Sequence, residues 1–311
     1  MLDDIEQALV TAIENARSKK GGNLATYIPE LACINPELVA GAISTVEGHV
    51  LKQGDIEQRF TLQSVSKLVP FIGLCEEFGK QQVNSWTNLE PSGLPFSSIG
   101  QVDRYNPVPS NPMVNAGAIA LCSRIPGDTQ ARALWLDNWM EKLFGRALTV
   151  DENVFTSEHR AGLMNRSIAY LLKSNGVLPG EVEEVLTTYH RLCSYLVTID
   201  TATHLPMLLA NGGVTPDKEQ IISQETCNVA ISVMATCGLY NESGTFLVNI
   251  GMPAKSGVSG LIVAVALGRA GIAVYSPRLN EKGTSVRGQT ILKSLSDELQ
   301  WHFCHRKPIK E

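Results

Sequence analysis

The stretch that carries most information reads Phe60-Thr61-Leu62-Gln63-Ser64-Val65-Ser66-Lys67. On a helix, an S-x-x-K spacing places the hydroxyl of Ser64 and the amine of Lys67 on the same face. If Lys67 is desolvated, its pKa falls and the neutral amine can accept the hydroxyl proton. Ser64 also lies where the first helical turn is expected, and unpaired N–H groups there can hold an anion. About one S-x-x-K is expected by chance in a chain of this length, so the motif alone is weak.

A second motif, Lys255-Ser256-Gly257, directly precedes an apolar segment that predicts a strand over 260–267. Taken alone, it could be an exposed lysine before a glycine turn. Taken with the S-x-x-K motif, a K-[ST]-G triplet entering a late strand resembles the arrangement of serine β-lactamases and penicillin-binding proteins. The third motif of those proteins, S-D-N, is missing, and its absence argues against a β-lactam enzyme.

Composition excludes several classes of protein. Of the 311 residues, 44% are hydrophobic and 18% are charged, which predicts a globular chain with a full core. A net charge of −5 argues against a nucleic-acid partner. Seven scattered cysteines without a C-x-x-C predict reduced thiols. An acidic start without a signal-peptide pattern, and no apolar run long enough for a bilayer, predict a cytoplasmic protein without a membrane partner.

Strand patterns and helix patterns occupy different parts of the chain. A helix is predicted at 2–17, a hairpin at 39–46 and 49–52, strands at 245–250, 260–267 and 271–275, and a final helix at 286–303. The middle predicts helices at 64–79, 115–123, 129–144, 158–174, 180–195, 201–210 and 224–237.

This distribution predicts an α/β (α+β) fold in which both chain ends complete one antiparallel sheet with flanking helices. We expect a single unit over 1–311, with a sheet-containing subdomain from 1–63 and 241–311 and a mainly helical subdomain from 64–240. A cleft between two such parts is the usual site for a small ligand.

Motifs along most of the chain, from about 23 to 292, resemble those of the serine-dependent glutaminase family, which has a β-lactamase-like (DD-peptidase-like) fold. Besides the two motifs above, the resemblance rests on 23–32 (NLATYIPELA), 111–119 (NPMVNAGAI), Ser157-Glu158 with Asn165-Arg166, 189–194 (YHRLCS), 210–213 (ANGG), 238–240 (GLY), 253–260 (PAKSGVSG), 276–277 (SP) and 285–288 (SVRG).

The resemblance implies roles for single residues. Ser64 is implied as the nucleophile and Lys67 as its base, and the backbone N–H groups of Ser64 and Val258 as an oxyanion hole. The residues implied to act in catalysis or to line the substrate pocket are Ser64, Lys67, Tyr27, Asn115, Glu158, Asn165, Tyr189, Tyr240 and Val258.

Structural alternatives exist for several of these residues. Asn115 could cap the helix that follows it. Glu158 and Asn165, seven residues apart, are expected on one helical face, where a solvated glutamate is ordinary. The tyrosines could belong to the core or its rim. Pro70 falls inside the expected nucleophile helix, where a kink would shift Lys67 relative to Ser64.

The implied activity is hydrolysis of L-glutamine to L-glutamate and ammonia through a γ-glutamyl-serine intermediate, without metal or organic cofactor, by a homodimer or homotetramer. The cluster at 302–305, His-Phe-Cys-His, lacks a second set of ligands and does not predict a metal site. Two alternatives stay open: another amide hydrolase of the same fold, such as a β-lactam-reactive enzyme, and a non-catalytic module that binds glutamine.

Overall fold

The computed structural model describes residues 2–95, 97–102 and 107–305. Its α-helices are α1 Leu2–Ser18, α2 Pro29–Ala32, α3 Leu68–Phe78, α4 Lys80–Trp86, α5 Asn115–Cys122, α6 Thr129–Phe144, α7 Glu152–Ala161, α8 Leu163–Ser174, α9 Val182–Cys193, α10 His204–Ala210, α11 Gln224–Cys237, α12 Ser243–Ile250 and α13 Val286–Leu299. Its strands are β1 Ala40–Thr45, β2 Val50–Gly54, β3 Phe60–Thr61, β4 Thr149–Val150, β5 Tyr195–Val197, β6 Ala254–Ser256, β7 Leu261–Ala266 and β8 Ala270–Tyr275. Short 3₁₀ helices cover Gln63–Lys67, Ile99–Gln101, Thr201–Thr203 and Tyr240–Glu242.

The main sheet has five antiparallel strands in the order β2-β1-β8-β7-β6. The hairpin from the first part of the chain pairs directly with the last strand, with Ala40 opposite Tyr275 and Thr45 opposite Ala270. The expectation that both chain ends complete one antiparallel sheet is therefore confirmed.

Apart from the edge strand β2, the sheet is buried on both faces. Along β7, Ile262 packs in one cluster with α1 and α13, whereas its neighbour Val263 packs in another with the helices of the middle of the chain. Because both faces are covered, β7 and β8 consist mostly of small and branched apolar residues, without polar alternation. The division at 63 and 241 into two subdomains stays a prediction.

A small second sheet, ordered β3-β5-β4, was not predicted. Its strand β3 leads into the turn that carries Ser64. Phe60 of β3 stacks face to face on Tyr275 of β8, with ring centroids 4.0 Å apart. This contact ties the approach to Ser64 to the main sheet.

The strand predicted over 245–250 is wrong, because this segment forms helix α12. Its apolar residues are spaced for a helix: Phe246 and Ile250 are buried on one side, whereas Val248 is 77% exposed. Gly251 ends the helix in the left-handed conformation, with φ of 67°.

The single helix predicted over 158–174 is also wrong, because the chain breaks at Gly162 between α7 and α8. Glu158 and Asn165 therefore lie on different helices and not on one helical face.

The helix predicted over 64–79 is a 3₁₀ turn, Gln63–Lys67, followed by α3. Pro70 lies in the first turn of α3, where proline is tolerated, and α3 continues through it. No described helix has the length and apolar character that crossing a membrane requires.

Candidate active site

A cavity of about 360 Å³ collects most of the predicted site residues. Its lining consists of Ala25, Tyr27, Gln63, Ser64, Ser97, Asn115, Glu158, Ala161, Gly162, Met164, Asn165, Tyr189, Cys193 and Val258. Seven of the predicted residues are in this set. The other two, Lys67 and Tyr240, lie behind it and contact residues that line it.

Ser64 is presented by a strained turn. Gln63, the residue before it, has φ of 46°, a conformation that costs energy for a side chain other than glycine. The turn is held by Ser66, whose hydroxyl donates a 2.7 Å hydrogen bond to the Gln63 carbonyl. Ser64 itself is only 8% exposed, so its hydroxyl is available to a ligand in the cavity but shielded from bulk solvent.

Lys67 is completely buried, and its amine has two acceptors. The Nζ atom donates to the Met113 carbonyl at 3.1 Å and to Asn115 Oδ1 at 2.6 Å. Burial lowers the pKa of Lys67 to about 8, because desolvation disfavours the ammonium form. The amine is therefore uncharged in a large fraction of molecules at mildly alkaline pH.

Asn115 does not cap its helix, since the residue at the cap is Val114 and no side chain caps the end. Its amide instead accepts from Lys67 and donates to Asn165 Oδ1 at 2.9 Å. One hydrogen-bonded chain thus runs from Lys67 to Asn165.

Lys255 is a second buried lysine at the site. It lies on the edge strand β6, and its Nζ atom donates to the Tyr240 hydroxyl at 3.1 Å and lies 4.3 Å from the ring centroid. Tyr240 is in turn hydrogen-bonded to the Ser64 side chain. Burial, assisted by the charge of Lys67, holds the pKa of Lys255 well below its usual range. The alternative of an exposed lysine before a glycine turn is wrong.

The carboxylate of Glu158 lines the cavity, and the residue is only 6% exposed. The single proton of the Tyr27 hydroxyl is shared in a bifurcated hydrogen bond to Glu158 Oε1 at 2.7 Å and Gln63 Oε1 at 3.1 Å. Burial raises the pKa of Glu158, although hydrogen bonds from Tyr27 and Gln63 partly oppose the rise. A solvated surface glutamate is therefore excluded, and a cationic ligand group would stabilise this carboxylate.

Two backbone amides complete the site. Within the described residues, neither the Ser64 N–H nor the Val258 N–H donates a hydrogen bond to another backbone group. Gly257 lets their segments approach: a Cβ atom on it would lie 2.8 Å from the Leu62 carbonyl oxygen and 3.5 Å from the Ser64 nitrogen. Paired free amides beside a hydroxyl can stabilise a developing oxyanion.

We expect Gly257→Ala to lower kcat about a hundredfold while leaving KM nearly unchanged, because the new methyl group separates the two amides. Gly244→Ala is the matched control, since a Cβ there meets no atom within 4 Å. Ammonia release and the melting temperature should be measured for both variants. A normal kcat in folded Gly257→Ala would contradict this role of the close approach.

Gln63, Cys193 and Lys255 are among the residues at the site that were not predicted as site residues. The Cys193 thiol lines the cavity, and burial raises its pKa to about 12, which keeps it protonated. Cys193 follows Tyr189 by four residues, which is the spacing of one helical face, and this signal could have found it. No group of three or more histidine, cysteine, aspartate or glutamate side chains in the described part of the chain is placed to hold a metal ion.

Comparison with known proteins agrees with this geometry. A model of the glutaminase family matches residues 22–303. The chain belongs to the glutaminase family. A curated relative, the glutaminase of Legionella pneumophila (strain Lens), is 50% identical over 299 residues, which are 96% of each chain.

Solved structures give the same result. A probable glutaminase named ybaS has a TM-score of 0.94 at 36% identity, covering 97% of this chain and 99% of its own. A probable glutaminase from Bacillus subtilis, complexed with 6-diazo-5-oxo-L-norleucine, has a TM-score of 0.87 at 32% identity over 96% of both chains. The chain is therefore an enzyme with glutaminase activity, and its β-lactamase-like fold is confirmed. Family membership decides against the β-lactam-reactive and the non-catalytic alternatives.

Proposed function

We propose that the protein hydrolyses L-glutamine to L-glutamate and ammonia through a γ-glutamyl ester of Ser64. One observation carries this proposal. One cavity is lined by both the Ser64 hydroxyl, which lies one helical turn before the buried Lys67, and the buried Glu158 carboxylate. This pairing fits a substrate with an amide at one end and an ammonium group at the other.

Recognition of the free amino acid rests on Glu158. A charge-assisted bond joins its carboxylate to the α-ammonium group, Tyr27 holds Glu158 in place, and Asn165 and Tyr189 supply neutral donors for the α-carboxylate. The ligand named with the Bacillus subtilis structure supports this assignment. 6-Diazo-5-oxo-L-norleucine is an α-amino acid whose C5 carbonyl corresponds to the side-chain carbonyl of glutamine.

Acylation uses the hydrogen bonds of Lys67. A neutral amine has two N–H groups and one lone pair. The two N–H groups of Lys67 donate to the Met113 carbonyl and to Asn115 Oδ1, which leaves the lone pair available. The lone pair accepts the Ser64 proton as the hydroxyl oxygen bonds to the amide carbon. The N–H groups of Ser64 and Val258 stabilise the tetrahedral oxyanion. When the C–N bond breaks, the proton returns to the leaving nitrogen and ammonia departs.

Deacylation repeats these steps with water. Water attacks the ester carbon, its proton passes to a base, and Ser64 recovers a proton as L-glutamate leaves. Lys67, Tyr189 and Tyr240 are the candidates for moving these protons. Tyr240 is favoured by its hydrogen bond with Ser64, and Lys255 orients its hydroxyl by donating to it.

Two measurements test the proposal together. The purified protein should release ammonia from L-glutamine, and 6-diazo-5-oxo-L-norleucine should add covalently to one residue. A diazoketone becomes an alkylating agent when its carbon is protonated, so the adduct should map to Ser64 by peptide mass spectrometry. Labelling of another nucleophile, with Ser64 unmodified in an inactivated enzyme, would overturn the role of Ser64.

Glu158→Gln should reduce the preference for L-glutamine over N-acetyl-L-glutamine. Loss of one charge-assisted bond costs about 1.5–3 kcal/mol, which corresponds to about a ten- to hundredfold loss in kcat/KM for L-glutamine. Because the pKa of Glu158 is raised, the wild-type KM should also increase at acidic pH, where the carboxyl group is protonated. This increase should disappear in the variant. Glu152→Gln, at an exposed position on the same helix, is the control, and an unchanged preference in Glu158→Gln would remove that residue from the pocket.

Location and assembly belong to the same proposal. We expect a cytoplasmic homodimer or homotetramer. Seven cysteines that are all free, with Cys33 and Cys304 exposed, suit a reducing compartment. Size-exclusion chromatography with light scattering measures the assembly.

A further inference from the structure

Three pocket residues are each followed by a residue that points away from the cavity into a shared cluster. Glu158, Asn165 and Tyr189 are followed by His159, Arg166 and His190, on α7, α8 and α9. Arg166 Nη1 donates to the His159 carbonyl at 2.7 Å, and its Nη2 lies 3.3 Å from His159 Nε2. His159 Nδ1 lies 3.3 Å from His190 Nδ1. We call these three side chains the positioning layer.

We propose that the positioning layer fixes Glu158, Asn165 and Tyr189 relative to one another, and that it does so only with both imidazoles neutral. This inference rests on the proposed function, because those three residues are taken as the recognition groups for glutamine. His159, Arg166 and His190 touch no substrate; they act through their neighbours.

The need for such a layer follows from the helix break. A continuous helix would fix the spacing of Glu158 and Asn165 by itself, but the chain breaks at Gly162 between α7 and α8. The relative position of the two side chains therefore depends on contacts between helices. Arg166 supplies one by bonding back to α7, and the histidine pair supplies another between α7 and α9.

Gly162, where the chain breaks, leaves room for the His190 ring of the positioning layer. A Cβ atom on Gly162 would lie 2.9 Å from His190 Nε2 and 2.8 Å from the Glu158 carbonyl oxygen. Glycine at this position thus allows the His190 ring to lie against the joint of α7 and α8. A larger residue would push α9, and Tyr189 with it, away from Glu158.

Donor and acceptor roles in the layer follow from Arg166. A guanidinium group only donates, so His159 Nε2 must be the acceptor. His159 then carries its proton on Nδ1 and donates it to His190 Nδ1. His190 must therefore carry its proton on Nε2, an atom that is buried without a hydrogen-bond partner. A second proton on either ring would remove an acceptor that the layer uses.

The charges around the layer favour this state. Arg166 faces His159 from α8, and Glu183 of α9 accepts from Arg166 Nε and Nη2 at 3.2 Å each. From α7, Phe155 stacks against His159, and from α9 the Tyr189 ring lies beside His190. Burial, with repulsion from any charge on His159 and from the Arg166 guanidinium, lowers the pKa of His190 to about 3, so His190 stays neutral near pH 7.

The first test is kinetic. His159→Phe keeps a ring but loses both nitrogen atoms, and we expect KM for L-glutamine to rise about tenfold with kcat changed less than twofold. His159→Gln retains an acceptor for Arg166 and should recover part of this loss. Arg166→Gln should resemble His159→Phe. The matched controls are His49→Phe and Arg160→Gln at exposed positions, and both should leave KM unchanged.

The second test needs no variant. Long-range ¹H–¹⁵N spectra of the wild-type histidine side chains at pH 7 should show His159 as the neutral Nδ1–H tautomer and His190 as the neutral Nε2–H tautomer. A positively charged ring at either position, or the reverse tautomers, would overturn the proposal. So would an unchanged KM in folded His159→Phe and Arg166→Gln. If Glu158→Gln raises KM but these variants do not, the layer fails and the proposed function stands; if Glu158→Gln has no effect either, the proposed function fails with it.

Discussion

Ser64→Ala should lower kcat for L-glutamine at least about a thousandfold, because it removes the atom that we propose forms the covalent intermediate. The side chain shrinks by one oxygen, so the fold should be retained. Ammonia release from L-glutamine measures the loss. The same variant should form no covalent adduct with 6-diazo-5-oxo-L-norleucine.

Binding distinguishes a lost nucleophile from a damaged pocket. Glu158, Asn165 and Tyr189 are untouched in Ser64→Ala, so calorimetry should still detect L-glutamine with an affinity near the wild-type KM. The melting temperature should stay within a few degrees of the wild type. More than a few per cent of wild-type turnover in Ser64→Ala would rule out the ester intermediate.

Lys67 should set the acidic limb of the pH profile. Because the pKa of Lys67 lies at about 8, the amine gains a proton as the pH falls through that value and can no longer accept the Ser64 proton. We expect kcat/KM to rise about tenfold per pH unit well below pH 8 and to level off above it. Lys67→Met should be as inactive as Ser64→Ala, since members of a catalytic unit do not contribute additively.

Lys67→Arg separates charge from basicity. Arginine keeps a cation at the position but stays protonated at every accessible pH, so it should not restore turnover even at pH 10. Circular dichroism at pH 5 and pH 8 must show an intact fold at both. A maximum of kcat/KM near pH 5, with the protein folded at pH 8, would exclude neutral Lys67 as the base.

The sequence predicts the main sheet well because its signals are local. The hairpin at β1 and β2 has a turn between its two strand patterns, and the short apolar runs of β7 and β8 are separated by a glycine turn, which favours strands. The segment 245–250 was misread because a short apolar run is compatible with either a strand or a buried helix. Only burial of Phe246 and Ile250 on one side, with Val248 exposed, identifies a helix, and burial depends on the rest of the fold.

The break at Gly162 could not be predicted for a related reason. A single glycine is tolerated within a helix, and the close packing of His190 of α9 against Gly162 is a contact that no local pattern encodes.

Within the site, the residues missed are those whose role arises from partners distant in sequence. Gln63 reads as an ordinary helix residue, but its φ of 46° and its hydrogen bond from Tyr27 exist only in the assembled structure. Lys255 was recognised as part of a motif, whereas its contact with Tyr240 depends on how β6 lies against the 3₁₀ turn at 240–242. The S-x-x-K spacing indicated Ser64 and Lys67, whereas the other predicted site residues were found because the resemblance supplied them.

The order of strands in the main sheet has a consequence for biosynthesis. Ser64 leaves the ribosome early, whereas the Val258 segment, which packs near it through Gly257, is made only after β6. Strand β1 pairs with β2 on one side, but its partner on the other side, β8, is made later still. Most of the nascent chain therefore exists as helices around an unfinished sheet, with apolar strand edges open to aggregation. Because β1 and β8 are far apart in sequence, completion of the main sheet is also slow relative to local helix formation. The Val258 amide proposed for the oxyanion site and the strand that pairs with β1 are both made late, so we expect an incomplete chain neither to shield β1 nor to turn over substrate.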